Sequence, residues 1–305
     1  MQKQERKDKK YSSKQDRCIY EKETYAMAQI FMRFPEGKYK ALTFSYDDGV
    51  EQDARLIEIF RKYGLKGTFN LNSALYAPEG TVYEPGRVHR RMTEKAVSEL
   101  YKQEGIEVAV HAATHPWLEQ MPQNMVTKEL MDDRQNLERQ FGCIVRGMAY
   151  PFGTYSDQVV ESMKTVGIVY SRTVHSTHDF LMPVDWMRLP ATCHHNDPEL
   201  MNLADRFIEG VSYGRPWMFY VWGHSYEFEE RDNWEVIEKF AEKMANRDDI
   251  WYATNIEIYD YQDAFKQLKF SMDGDMVFNP TAYEMWFERN GEVQSVKPGE
   301  TKRLV

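Results

Sequence analysis

The chain has 305 residues, of which 42% are hydrophobic and 29% are charged, and this size fits one large α/β domain or two small ones. The formal net charge of −9 argues against nucleic acid or an anionic membrane surface as a partner, because both bind clustered lysine and arginine. The mean hydropathy of −0.68 and the lack of an apolar run of about 18 residues exclude a transmembrane helix.

Residues 1–17 are charged and have no apolar core, so they predict a solvated tail and not a signal peptide. The three cysteines, Cys18, Cys143 and Cys193, are odd in number and widely spaced, which argues against a disulfide framework. We therefore expect a cytoplasmic protein, with Cys143 and Cys193 as core thiols.

From Lys40 onward, strand-like and helix-like segments alternate. The predicted strands are KALTFSY (40–46), LKGTFNLN (65–72), IEVAVH (106–111), VRGMAY (145–150), IVYSRTV (168–174), PWMFYVWGH (216–224) and WYATNIEIYDY (251–261). The predicted helices lie between them at 53–64, 93–105, 127–142, 156–167, 198–210 and 233–246. Asp53 and Thr93 are predicted N-caps, and Gly64 is a predicted helix stop.

This alternation predicts parallel βαβ units. We expect a distorted (β/α) barrel of about seven parallel strands, because this many rounds favour a closed sheet over an open one. The last 40 or so residues change character, and the Asn290-Gly291 pair predicts a hairpin. The predicted organisation is an N-terminal extension (1–35), a barrel (36–265) and a small antiparallel β appendage (266–305).

Several predicted strands end in side chains that can bind a metal or move a proton. Asp47 and Asp48 close the first strand, His111 closes the third, and His224 follows the sixth, with His115 four residues after His111. The carboxyl ends of parallel strands meet at one edge, where active sites of such folds gather. Two histidines and a carboxylate form a zinc-type ligand set that leaves positions open.

These segments resemble the motifs of the polysaccharide deacetylases (carbohydrate esterase family 4, NodB-type domain). SYDDG (45–49) resembles the first motif, and HAATHPWL (111–118) resembles the second, H-(S/T)-x-x-H-P-x-L. AYPFG (149–153), VDW (184–186) and WGH (222–224) are similar to parts of the third, fourth and fifth. The resemblance covers about residues 40–265 and implies the NodB-type barrel.

The resemblance also implies roles. Asp48, His111 and His115 would ligate a divalent metal, usually zinc in this family, with cobalt or nickel as alternatives. Asp47 would be the general base that activates water, and His224 the general acid that protonates the leaving amine. The backbone near Tyr150 would help to stabilise the oxyanion.

Two positions depart from the family pattern. The third-motif arginine that orients the base falls on Ala149, and either Arg146 or Arg188 could replace it, with Arg188 favoured. The first aspartate of the fourth motif falls on Met182, while Asp185 remains. Asp185 either tunes His224 or caps a loop.

Aromatic side chains cluster around the motifs, and aromatic faces stack on sugar rings. The candidate substrate-binding residues are Tyr46, Trp117, Tyr150, Trp186, Trp222 and His195. His195 belongs to the stretch TCHHNDPEL, in which Asn196 or Asp197 is alternatively a helix N-cap.

The prediction is a metal-dependent hydrolase that removes an N-acetyl group from a carbohydrate, with O-acetyl removal as a variant. One alternative is a hydrolase of linear or cyclic non-sugar amides on the same scaffold. A second alternative is a catalytically weak carbohydrate-binding protein that keeps the metal. The oligomeric state and the exact sugar are left open by the sequence.

Overall fold

The computed structural model describes residues 29–212 and 214–304. Its strands are β1 Ile30–Arg33, β2 Lys40–Asp47, β3 Gly67–Leu71, β4 Ile106–Val110, β5 Gly147–Ala149, β6 Tyr170–Ser176, β7 Leu189–Ala191, β8 Cys193–His194, β9 Trp217–Gly223, β10 Ile250–Tyr252, β11 Lys269–Phe270, β12 Met276–Phe278, β13 Met285–Arg289, β14 Glu292–Val296 and β15 Thr301–Arg303. Its α-helices are α1 Asp53–Tyr63, α2 Glu94–Leu100, α3 Gln123–Phe141, α4 Asp157–Thr165, α5 Leu200–Glu209, α6 Tyr226–Glu230, α7 Glu235–Met244 and α8 Asn255–Lys266.

The central sheet is parallel throughout, with strand order β7-β6-β5-β4-β3-β2-β9-β8, and β10 pairs with the start of β2. The strands at its two ends, β7 and β8, are consecutive in the chain and are separated by Thr192 alone. The Thr192 amide donates to the Tyr220 carbonyl at 2.8 Å, so this stretch joins β6 on one side to β9 on the other. The predicted (β/α) barrel is confirmed.

Side chains alternate along β2, and this alternation decides which of them can reach the site. Leu42, Phe44 and Tyr46 belong to the larger core under the helices. Thr43, whose hydroxyl donates to Asn255 at 2.8 Å, shares the opposite face with Asp47. The inside of the barrel at this strand is therefore polar and leads to Asp47.

Two local predictions are wrong. The segment 251–261 is not one strand, because β10 ends at Tyr252 and α8 begins at Asn255. Thr254 and Glu257 form a capping box there, a helix-start signal that overrides the β-branched residues nearby. Asp53 is not the N-cap of α1 but its first residue, with its carboxylate accepting from the Val50 amide at 3.2 Å.

The C-terminal region forms two antiparallel sheets, β1-β13-β14 and β11-β12-β15. The predicted hairpin is confirmed, since Asn290 and Gly291 join β13 to β14 with φ of 53° and 88°, as a two-residue type I′ turn requires. β1 pairs with β13 through Ile30 and Arg289. The predicted organisation therefore assigns the strands of one sheet to two regions, β1 to the N-terminal extension (1–35) and β13 and β14 to the appendage (266–305).

Cys193 is buried as predicted, whereas Cys143 is exposed, so the prediction of a core thiol is wrong at Cys143. Cys18 and the predicted tail, residues 1–17, lie outside the described residues. Among the helices of residues 29–212 and 214–304, none has the length and apolar character needed to span a bilayer.

The barrel also contains a carboxylate whose burial affects stability. Glu107 of β4 accepts hydrogen bonds from the Tyr170 hydroxyl at 2.5 Å, the Thr68 hydroxyl at 2.8 Å and the Ile256 amide at 2.9 Å. Burial nevertheless raises the pKa of Glu107 to about 7. The folded protein therefore holds a proton there that the unfolded chain releases at lower pH.

We expect the free energy of unfolding to fall as pH rises from about 4.5 to 7, by up to roughly 1.4 kcal/mol per pH unit from this group. Glu107→Gln removes this part of the slope, which urea unfolding at several pH values measures. Glu104→Gln, at an exposed position on the preceding turn, is the control. An unchanged slope in Glu107→Gln would contradict the assignment.

Candidate metal and active site

The two adjacent aspartates diverge because the backbone turns between them. Asp47 is the last residue of β2, whereas Asp48 has φ of 83° and Gly49 has φ of 67°. The left-handed region is open to aspartate more than to most residues, and glycine enters it freely. The turn directs one carboxylate into the barrel and the other toward the loop that precedes α2.

Asp48, His111 and His115 form a group whose ligand atoms lie within 4.8 Å of one another. The Nδ1 atom of His111 lies 2.8 Å from the Ala149 carbonyl. Donation of Nδ1–H to this carbonyl leaves the Nε2 lone pair of His111 available. Burial lowers the pKa of His111, and it lowers the pKa of His115 to about 4, so both rings are neutral near pH 7. This N, N, O donor set fits a zinc-class ion.

The carboxylate of Asp48 is held on both sides. One oxygen lies 3.2 Å from His89 Nε2, and the other accepts from Arg91 at 3.0 Å. Burial opposes ionisation of Asp48, but the contacts with His89 and Arg91 outweigh it and lower the pKa of this carboxyl well below its usual range. Asp48 is therefore anionic at any physiological pH.

The carboxylate of Asp47 lies inside the barrel beside this group. Its Oδ1 accepts from the Asn70 amide at 2.8 Å, and its Oδ2 accepts from Arg172. The same Oδ2 is 3.8 Å from Nε2 of His111 and 3.8 Å from Nε2 of His224. The structure thus brings together all five residues predicted at the strand ends.

The arginine at Asp47 is not one of those predicted. Arg188 binds Asp185 at 2.7 Å and Asp157 at 2.5 Å on the surface, and Arg146 pairs with Asp260. The prediction that Arg188 replaces the arginine missing at Ala149 is wrong, because Arg188 leaves a 3₁₀ turn outside the barrel.

Arg172 reaches the Asp47 carboxylate because of strand register. Ala149 of β5 and Arg172 of β6 are partners in the parallel ladder, so their side chains leave the sheet on the same face. Arg172 is 1% exposed, and its guanidinium lies 4.3 Å from the centroid of the Trp222 ring. The sequence analysis missed Arg172, and the signal that could have identified it was an arginine within the predicted strand IVYSRTV (168–174).

The partner of His224 also differs from the prediction. Nδ1 of His224 lies 3.1 Å from a carboxylate oxygen of Glu227. Asp185 does not contact His224; its carboxylate caps the 3₁₀ turn by accepting from the Met187 amide at 2.9 Å. Of the two alternatives for Asp185, the structure therefore has the loop cap.

The predicted substrate-binding residues divide by exposure. Trp117 is 44% exposed and stacks on Phe152, itself 45% exposed, with ring centroids 3.9 Å apart, and Phe152 contacts His115. Trp222 is largely buried and lies 6.0 Å from the His224 ring. Trp117 and Phe152 can therefore border a substrate beside His115, whereas Trp222 is buried.

The other four candidates are buried and do not form an open surface: Tyr46, Tyr150, Trp186 and His195. Tyr46 lies on the face of β2 opposite Asp47, which is why it cannot reach the site. The hydroxyl of Tyr150 donates to the Met187 carbonyl at 2.6 Å. The Tyr150 amide donates to the Arg172 carbonyl at 3.1 Å, so the prediction that it stabilises an oxyanion is not supported.

Neither Asn196 nor Asp197 is the N-cap of α5, which is Glu199. Asn196 instead lies among His195 and Glu227, with its amide 2.8 Å and 3.2 Å from them. The alternative that this stretch forms part of a substrate rim is not supported either, because His195 is fully buried.

Two buried side chains that the sequence analysis missed hold the loop that begins at His111. Asp133 of α3 accepts from the Ser73 amide at 2.8 Å and from the His111 amide at 3.1 Å. Asn72 donates to the carbonyls of His111 and Ala112 at 2.6 and 2.7 Å. These contacts fix the backbone from which His111 projects.

The sequence model of the polysaccharide deacetylase family matches residues 20–171. This chain carries a polysaccharide deacetylase domain of the NodB type. No curated protein matches the chain.

Two solved structures are similar to parts of this chain. A proposed polysaccharide deacetylase from Mycobacterium smegmatis is similar at a TM-score of 0.55 and 17% identity, over 77% of this chain and 94% of the other. A deacetylase from Streptococcus pyogenes, PplD in complex with acetate, is 25% identical with a TM-score of 0.38, over 43% of this chain. The match spans 55% of the length of PplD. The Mycobacterium structure supports the barrel fold of the domain.

Proposed function

We propose that this protein is a metal-dependent hydrolase that removes acetyl groups from an N-acetylated carbohydrate. The observation that carries the proposal is the position of Asp47 and His224 beside the Asp48, His111 and His115 group, with 3.8 Å between Asp47 Oδ2 and His224 Nε2. A base and an acid at this separation can act on the two sides of one scissile bond.

Asp48, His111 and His115 would hold the divalent cation, for which zinc is proposed with cobalt or nickel as substitutes. When bound, such an ion polarises a carbonyl oxygen and lowers the pKa of water to about 7. Asp47 then removes a proton from the attacking water, and Arg172 and Asn70 keep its carboxylate aimed at that water.

His224 completes the reaction. The new bond joins the water oxygen to the acetyl carbon, and the carbon–nitrogen bond breaks as Nε2 of His224 gives its proton to the leaving amine. Acetate and the free amino sugar are the products. Trp117 and Phe152, stacked at the rim next to His115, offer an aromatic face to a sugar ring.

The test is acetate release from N-acetylated chitooligosaccharides, measured with the metal content of the same sample. We expect release that a chelator abolishes and that zinc or cobalt restores. The matched variant is His111→Ala, which loses the metal and the activity together. Release from non-sugar amides alone would favour the alternative hydrolase, and the absence of release from any amide or ester at full metal content would contradict the proposal.

A further inference from the structure

Three imidazoles surround one carboxylate next to the proposed acid. Glu227 Oε1 lies 3.1 Å from Nδ1 of His224, while Oε2 lies 3.1 Å from Nε2 of His194 and 3.0 Å from Nε2 of His195. The group formed by Asp48, His111 and His115 does not include Glu227, His194 or His195. We propose that Glu227 is the positioning residue of His224, an inference that rests on the proposed function.

The geometry gives Glu227 a defined task. A carboxylate that accepts Nδ1–H fixes both the tautomer and the direction of the ring. It leaves Nε2 of His224 pointing toward Asp47, where a leaving nitrogen has to lie. The same negative charge stabilises the imidazolium that donates the proton.

Glu227 is itself held in place by its surroundings. The Asn196 amide lies 3.2 Å from its Oε2, and Asn233 donates to Asn196 Oδ1 at 2.9 Å. The fully buried His195 ring stacks on Phe228, with centroids 4.0 Å apart. A carboxylate fixed by this many partners cannot swing away from His224 without breaking the cluster.

Gly223 leaves the space that the His195 ring of this cluster occupies. A Cβ atom at this position would lie 2.1 Å from His195 Nδ1, so any larger residue before His224 would expel the His195 ring. The glycine in the sequence WGH (222–224) therefore allows the His195 ring to lie beside the Glu227 carboxylate.

The charges that face His224 favour its role as an acid. They are the carboxylates of Glu227 on α6 and of Asp47 and Asp48 at the end of β2. Two neutral rings also face this region: Tyr226 on α6, with its centroid 5.2 Å from that of His224, and His195 behind Glu227, whose pKa burial lowers to about 3. Burial opposes protonation, but the Glu227 hydrogen bond and the two aspartates outweigh it and raise the pKa of His224.

Glu227 also occupies a role that the sequence leaves open. Met182 stands where the family motif has an aspartate, and Asp185 is engaged with Arg188. Glu227 reaches His224 from three residues further along the chain, at the first turn of α6. The acid and its positioning residue are therefore both contributed by the segment that ends β9.

The test compares Glu227→Gln with Glu230→Gln, an exposed glutamate on the same short helix. We expect Glu227→Gln to lower kcat by about 10–100-fold with KM changed by less than about twofold. The alkaline limb of its kcat profile should move to lower pH, because an amide does not stabilise the imidazolium. Glu230→Gln should match the parent protein in both respects.

Two further measurements, the ¹⁵N shifts of the His224 ring and the metal content, decide whether the assignment stands. The ¹⁵N shifts of the His224 ring should change in Glu227→Gln, and unchanged shifts or an unchanged kcat would overturn the assignment. Loss of a metal equivalent in Glu227→Gln would also overturn it, because His194, His195 and Glu227 would then be metal ligands. If the parent protein releases no acetate, changed shifts still support the pairing and the fault lies with the proposed function.

Discussion

Asp47→Asn should lower the rate of acetate release by about 10²–10⁴-fold while the metal content stays at the level of the parent protein. Asparagine keeps the shape of the side chain and one oxygen for Asn70, but it cannot accept a proton from water. Asp47 is not one of the three residues whose ligand atoms converge, so the metal should remain. Kinetics and metal analysis on the same preparation measure both effects.

The Asp47→Asn substitution also lowers the free energy of unfolding, and the activity assay has to account for this loss of stability. Arg172 is buried and loses its counter-charge in Asp47→Asn, and breaking one side of a buried ion pair costs about 3–5 kcal/mol. Thermal unfolding of the variant sets the temperature at which activity can be compared. His111→Ala is the contrasting variant, since it should lose metal as well as turnover. A fully active Asp47→Asn would show that another group is the base.

Arg172→Met should lower the free energy of unfolding by about 3–5 kcal/mol, because it leaves Asp47 buried without its cation. Turnover should fall by about 10–100-fold as the base loses its orientation. Urea unfolding and acetate release measure the two effects. The control is Arg188→Met, whose exposed ion pairs are worth about 0–1 kcal/mol; a larger loss there than in Arg172→Met would restore the prediction made from sequence.

The register of β5 and β6 allows a stricter test of the same idea. Ala149 and Arg172 lie side by side on one face of the sheet. Combining Ala149→Arg with Arg172→Ala moves the guanidinium by one strand and returns it to the position where the family motif has it. The double variant should recover activity relative to Arg172→Ala alone, and the absence of any recovery would mean that Arg172 acts through more than its contact with Asp47.

The barrel and the convergence of the strand-end residues could be predicted because both follow from local patterns. Parallel strands place their carboxyl ends at one edge, so knowing that Asp47, His111 and His224 end strands is enough to bring them together. The helix starting at Asn255 was missed because Thr254 and Glu257 carry the signal in a capping box, while the residues around them favour a strand.

The side chains that contact Asp47 and His224 could not be predicted in the same way. Which arginine meets Asp47 depends on the register between β5 and β6, and sequence spacing does not report register. Whether Glu227 or Asp185 meets His224 depends on how the chain leaves β9. Tyr46 was misplaced for a simpler reason, since the alternation along β2 already puts it on the face opposite Asp47.

The pairing of β1 with β13 makes the order of protein synthesis matter. β1 leaves the ribosome well before its partner β13, because the whole barrel lies between these two strands in the chain. In the interval its hydrogen-bonding edge is open to other chains, and such edges promote aggregation. A protein shortened at residue 265 would keep that open edge permanently, so the appendage protects the completed chain from aggregation even though it lies outside the barrel.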